Sequence, residues 1–228
     1  MEELNHTADE LLRIKDWVLR NYHNDVYPLF INSQTVGAAD GVFHFGIVRN
    51  IMAYIETCGA IHSGWAELDQ RGDYDTKKVA TSEKSIRFIV EFLSVIDKNY
   101  RENGKLFYNM YRHGSTHLLR PHRLKSRATG MIYSWWWYSG DRCTIHDKVE
   151  GFKRDDGVRV SHLELIKVPN QNVYLLPVSF PCLCADVEKA VGNFYDSLVG
   201  ARRKGDLPPE QRRALTFIAN GVVTRGDI

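Results

Sequence analysis

The chain has 228 residues, 43 % of them hydrophobic and 25 % charged, with 30 Lys and Arg against 28 Asp and Glu. These proportions are those of a globular chain and exclude collagen, a coiled-coil rod and a disordered tail; no apolar run approaches the ~20 residues of a membrane-spanning helix, so no membrane association is expected. The net charge of +2 averages unequal parts: residues 1–100 carry 15 acids and 10 bases, whereas residues 103–140 carry six bases (Lys105, Arg112, Arg120, Arg123, Lys125 and Arg127) and no acid. Such a window either attracts phosphate or docks on the acidic half of its own chain.

The polar, acidic start has no secretory pattern, and a cytoplasmic location is expected. Four cysteines, Cys58, Cys143, Cys182 and Cys184, then read as buried thiols, since Cys182 and Cys184 are too close in sequence for a zinc knuckle. Leu11, Ile14 and Val18 line one face of a first helix. Thr7 is its N-cap, with Glu10 as capping-box partner. Asn32-Ser33 and Gly37 mark a break. A second helix spans about 42–65 on the stripe Val48, Ile51, Met52 and Ile55. After a polar loop at 69–75, Thr81 or Ser82 opens a third long helix with Ile86, Ile89, Val90, Leu93 and Ile96 on one face. Asn103-Gly104 end it. A fourth helix leads to Gly114, with Leu106 and Met110, and Phe107 and Tyr111, paired at four-residue spacing.

Beyond Pro121 the pattern changes. Met131 to Tyr138 reads as an aromatic strand and Cys143 to Val149 as an alternating one, with a turn at Asp155-Asp156-Gly157. The run 158–168 loses its alternation near His162, which predicts a bulge or break. Asn170 to Asn172 form a turn. Val173 to Val178 form a last strand, which Pro177 places at a sheet edge or end. Val187, Val191, Phe194, Tyr195 and Leu198 then stripe a helix with Asp186 near its start and Arg202, Arg203 and Lys204 at its end, matching the helix dipole. Pro208-Pro209 open a short final helix. No linker divides the chain. The reading is a single, mainly α domain over 1–228, with a helical core at about 8–120 and 181–220 and a small antiparallel β insertion at about 131–178.

Chemistry concentrates at the end of the fourth helix. Arg112 is a permanent cation with a fork suited to phosphate, and His117 can take or give a proton near neutral pH. Together they can cleave RNA without a metal: a histidine removes the 2′-hydroxyl proton while an arginine stabilises charge on the phosphorane. Arg120, His122, Arg123, Lys125 and Arg127 would hold the flanking phosphates. On an ideal helix, five residues turn ~500°, so Arg112 and His117 point about 140° apart. They converge if the helix bends or ends, for which Gly114 offers a place, or if a second subunit closes the gap.

Read as R-x4-H late in a run of helices, Arg112 to His117 resembles the signature of HEPN-domain proteins. Those are all-helical and often act as metal-independent endoribonucleases. The residue after the arginine is usually polar in that family, and here it is His113. The resemblance implies a HEPN-like bundle over about 8–120 and the helix after 181. In it, Arg112, His113 and His117 line the cleft of a symmetric homodimer, RNA is the partner and no cofactor is needed. It does not account for 131–178. The family also contains inactive scaffolds, so the alternative is a non-catalytic interaction protein of the toxin–antitoxin, immunity or phage-associated kind. In that case Arg112 and His117 are structural, satisfying buried carbonyls or pairing with acids such as Glu56.

Other uses of these residues fit less well. His113 and His117 share a helical face, but Gly114 stands where a zincin has its glutamate, and His122 lies beyond Pro121, so no metal is expected. Neighbours on a strand face opposite sides. Trp136 therefore points away from Trp135 and Trp137, with one face on the core and the other on a partner or lid, rather than all three stacking on nucleobases. The sequence has no Walker loop, dinucleotide fingerprint or nucleophile elbow.

Overall fold

Thr7 caps the first helix reciprocally with Glu10: the Thr7 amide donates to Glu10 Oε2 at 2.7 Å, and the Glu10 amide to Thr7 Oγ1 at 3.2 Å. A computed structural model describes residues 7–35, 42–63, 81–117, 121–138, 152–153, 159–209, 211–212 and 214–215. Helix α1 (Ala8–Thr35) buries Leu11, Val18, Tyr22, Val26 and Phe30 along one stripe. Helices α2 (Val42–His62) and α3 (Thr81–Phe88) cross closely at Gly59, where a Cβ would lie 2.7 Å from the Lys84 carbonyl oxygen and 3.0 Å from Ser85 Cα. Only a residue without a side chain permits that crossing.

The third helical stretch departs from its expected form. α3 passes into one π-helical turn (Ile89–Leu93), closed by the Ser94 amide on the Ile89 carbonyl at 3.1 Å. The break then falls at 94–98, where Asp97 Oδ1 accepts from the Asn99 amide at 2.9 Å. Helix α4 (Asn99–His117) begins there and runs through Asn103-Gly104 instead of starting after them. Both weak helix formers are held by tertiary contacts that outweigh their propensity. Asn103 donates to the Leu163 carbonyl at 2.9 Å, and Gly104 leaves room for Ile89, whose Cγ2 would lie 2.5 Å from an added Cβ.

The sheet is mixed, not antiparallel as the sequence suggests. Its strands are β1 (Leu124–Lys125), β2 (Ile132–Tyr138), β5 (Ile166–Lys167) and β6 (Val173–Ser179), in the order β1-β2-β6-β5. The outer pairs are antiparallel, but the two long strands run parallel, in register from Ile132↔Val173 to Tyr138↔Ser179. Parallel neighbours need a crossover longer than a hairpin, and residues 139–172 supply it. Within that stretch β3 (Phe152–Lys153) and β4 (Arg159–Val160) form a separate antiparallel pair. The expected break near His162 is present: β4 ends at Val160, Leu163 is left-handed at φ 57°, and β5 begins at Ile166. Pro177 does not mark an edge, because β6 lies between β2 and β5. The β5 ladder ends at Leu175, and beyond it Pro177 uses only its carbonyl, which accepts from the Leu163 amide at 2.7 Å. The strand and turn expected at 143–149 and 155–157 lie outside the described residues.

One apolar cluster draws on all five α-helices and on Leu176 and Val178 of β6. Tyr133, Trp135 and Trp137 pack against it, as their alternation predicts. Trp135 and Trp137 stack at 4.7 Å and meet Phe45 of α2 edge-on, and Trp135 Nε1 donates to the Pro121 carbonyl at 2.9 Å. Strand β6 flows straight into α5 (Phe180–Lys204), with Ser179 as the N-cap for the Cys182 amide at 3.3 Å. Gly205 ends α5 at φ 81°, after a last turn containing Arg202, Arg203 and Lys204. A helical turn resumes at Pro209. No described helix is long and apolar enough to cross a membrane.

Candidate functional site

The last turns of α4 carry the R-x4-H segment, and α2 fixes its first member. Arg112 Nε donates to Glu56 Oε1 at 2.8 Å, and the Tyr108 hydroxyl, one turn earlier, donates to the same oxygen at 2.9 Å. Tyr108 is buried and also bonded to Ser85 of α3. Burial pushes its phenol up to about 12; the Glu56 charge adds to this, while Ser85 and Arg112 oppose it. The Glu56 hydrogen bond raises the Arg112 pKa against the opposing effect of burial. The Arg112 and Glu56 side chains are 29 % and 25 % exposed. Arg112 is therefore compensated by its own acidic half, yet part of it meets solvent.

His113 and His117 lie on the same helix, which continues through Gly114 and ends at His117. Their side chains lie outside the described residues, as does Arg120 altogether. His122 turns inward: its amide donates to the Met110 carbonyl at 2.8 Å, and its Nε2 is shut off from solvent without a hydrogen-bond partner. It stands behind the basic segment and not in it. Arg123, Lys125 and Arg127 are exposed, and none pairs with an acid among the described residues. Leu124 packs on the core, so Arg123 and Lys125 on either side of it fall on the opposite face of the sheet. The basic window thus divides. Arg112 docks internally, and Arg123, Lys125 and Arg127, in and around β1, are exposed.

Two polar clusters were not foreseen. The Ser179 amide donates to His162 Nδ1 at 2.9 Å, so a neutral ring carries its proton on Nε2 and donates it to the Tyr100 hydroxyl at 2.9 Å. With Asn99 donating to the His162 carbonyl at 2.7 Å, this ties the strand break to α4. Burial, then the nearby Asp186, pushes the Tyr100 phenol well above its ordinary value. The second cluster centres on Glu188 of α5, which takes His23 Nε2 at 2.6 Å on one oxygen and the Tyr27 hydroxyl on the other. His23 stacks on Tyr27 at 4.3 Å. The four-residue spacing of His23 and Tyr27 was visible in the sequence; the distant glutamate was not. Burial and the Glu188 hydrogen bond push the Tyr27 phenol upward.

Among the described residues no three His, Cys, Asp or Glu side chains group as a metal site, and Cys58, Cys182 and Cys184 are buried and outside any disulfide. In comparisons with known proteins, no family model, no curated protein and no solved structure matches this chain.

Proposed function

We propose that this is a HEPN-like cytoplasmic protein that binds RNA along residues 123–127 and cleaves it without a metal at Arg112 and His117. The observation that carries this reading is the row of exposed, unpaired cations, Arg123, Lys125 and Arg127, placed just after the helix that bears R-x4-H. Arg123 and Lys125 flank Leu124 of β1, about 7 Å apart for extended chain, a separation suited to successive phosphates, and Arg127 follows in the turn after β1. Glu56 and Tyr108 hold Arg112 in a fixed orientation, where it would stabilise the phosphorane. His117 would take the 2′-hydroxyl proton as the 2′-oxygen attacks phosphorus. His117 would then pass that proton to the departing 5′-oxygen, leaving a 2′,3′-cyclic phosphate and a 5′-hydroxyl, and His113 would orient His117. Because Arg112 and His117 point about 140° apart on an ideal helix, a second copy would complete the site, making a homodimer the active form.

The Arg112–Glu56 pair favours a second reading, a non-catalytic interaction protein in which Arg112 is structural. Incubation of purified protein with mixed RNA in EDTA separates the two. Cleavage that disappears in both Arg112→Ala and His117→Ala supports the nuclease; binding without cleavage supports the scaffold; neither binding nor cleavage rejects RNA as partner. Replacing Arg123, Lys125 and Arg127 together with alanine should lower the salt dependence of binding, the slope of log K on log salt, by about 2.

A further inference from the structure

An open surface depression of about 600 Å³ lies along α1, remote in sequence from the basic segment and lined, among the described residues, by Asp16, Leu19, Arg20, His23 and Asn24. The five residues recur at three- and four-residue intervals, so they share one face of the helix. The volume is within the range of small-ligand sites. Its polar groups are available. Asp16 pairs with no cation among the described residues, and the Asn24 amide is likewise uncommitted. Arg20 uses only Nε, on the Asp16 carbonyl at 3.3 Å, which leaves its two terminal nitrogens. His23 is held rigidly: Nε2 is on Glu188, and one ring face lies on Tyr27 at an interplanar angle of 11°. Since the two Glu188 oxygens are each taken by a donor, the ring cannot swing without losing both contacts. Nδ1 remains for a ligand.

We infer that this depression binds a small phosphate ester bearing hydroxyl groups, of sugar-phosphate size. Arg20 takes the phosphate through its terminal nitrogens, the geometry for which a guanidinium is suited. Asp16 lies about 6 Å away along the helix axis, one turn back, a distance that a phosphate and the ring hydroxyls of one sugar phosphate can span. Its free carboxylate accepts from those hydroxyls. It also repels a bare anion, so the pair selects for a ligand that brings both groups. His23 and Asn24 supply the remaining contacts, and Leu19 gives the sugar ring an apolar surface.

The test is calorimetric titration with ribose 5-phosphate and, separately, inorganic phosphate. Saturable binding of the sugar phosphate is expected, weakened about tenfold or more in Arg20→Ala, in line with loss of a charge-assisted pair. Asp16→Asn should weaken the sugar phosphate and tighten inorganic phosphate. Both positions are on the surface, and circular dichroism checks that each variant folds. Absence of saturable binding, retention of affinity in Arg20→Ala, or equal tightening of both probes in Asp16→Asn would each overturn the assignment, the last by reducing the depression to an anion patch. Alanines at Arg123, Lys125 and Arg127 should leave this binding unchanged, so its failure and that of the RNA reading are told apart.

Discussion

Glu56 and Glu188 each join two helices by accepting from a tyrosine hydroxyl and from a nitrogen-bearing side chain, but the donors lie at different depths. Glu56 gathers both donors, Tyr108 and Arg112, on a single oxygen, and Tyr108 is sealed in the core. Glu188 spreads its donors over two oxygens, and its His23 side chain is 44 % exposed. The two carboxylates are alike in exposure, 25 % and 23 %; the donors differ, so water can replace the acceptor of His23 readily and that of Tyr108 poorly. The same chemistry makes a sealed support in one place and a solvent-facing one, beside a surface depression, in the other.

The largest expected effect comes from removing the close approach that seats the deeper cluster. Gly59 lies one turn from Glu56, and Gly59→Val would drive a side chain into the backbone at Lys84 and Ser85. The strain should cost about 3 kcal/mol in chemical denaturation. Next come the glutamates themselves. Glu56→Ala takes away the shared acceptor of a buried hydroxyl and a part-buried guanidinium and should cost about 2 kcal/mol. Glu188→Ala should cost about 1 kcal/mol, because its partners rehydrate. Equal losses, or the reverse order, would show that depth does not separate the two. The smallest signal is optical. The Tyr108 phenol is raised in the folded protein to about 12, from the ordinary tyrosine value of 10.0. Its contribution to stability is therefore complete below the unfolded value and is lost as pH rises through the folded one. The phenolate absorbance missing from Tyr108→Phe should appear near pH 12; appearance near 10 would mean that the hydroxyl is open to water.

Local patterns predicted local structure well. The Thr7–Glu10 cap, the faces of α1, α2 and α5 and the break at His162 follow from spacing and side-chain chemistry within one element. Long-range partners did not show. Asn103-Gly104 have the composition of a helix end, and only the approach of Ile89 and Leu163 keeps them helical. Pro177 suggested an edge because its missing donor is visible, whereas the early end of the β5 ladder is not. At the site, the basic window and Arg112 were legible as charge, and Glu56 could be named as one acid for Arg112 to pair with. The split between a docked arginine and the exposed cations in and around β1 depends on which face Leu124 buries, a property of the assembled sheet. The Glu188 cluster, beside the surface depression, joins residues far apart in sequence, beyond the reach of any periodicity.

Helix α1 is made well before the partner that completes it. Tyr22, buried in α1, donates to the carbonyl of Cys184 in α5 at 2.8 Å, and β2 meets its parallel neighbour only when 173–179 have been made. During synthesis the nascent chain must therefore carry Tyr22 without its native acceptor, and an aromatic strand lacking its parallel neighbour, until α5 emerges. Closure of this fold waits until α5 has been made, and the growing polypeptide is most open to association with other chains just before that point.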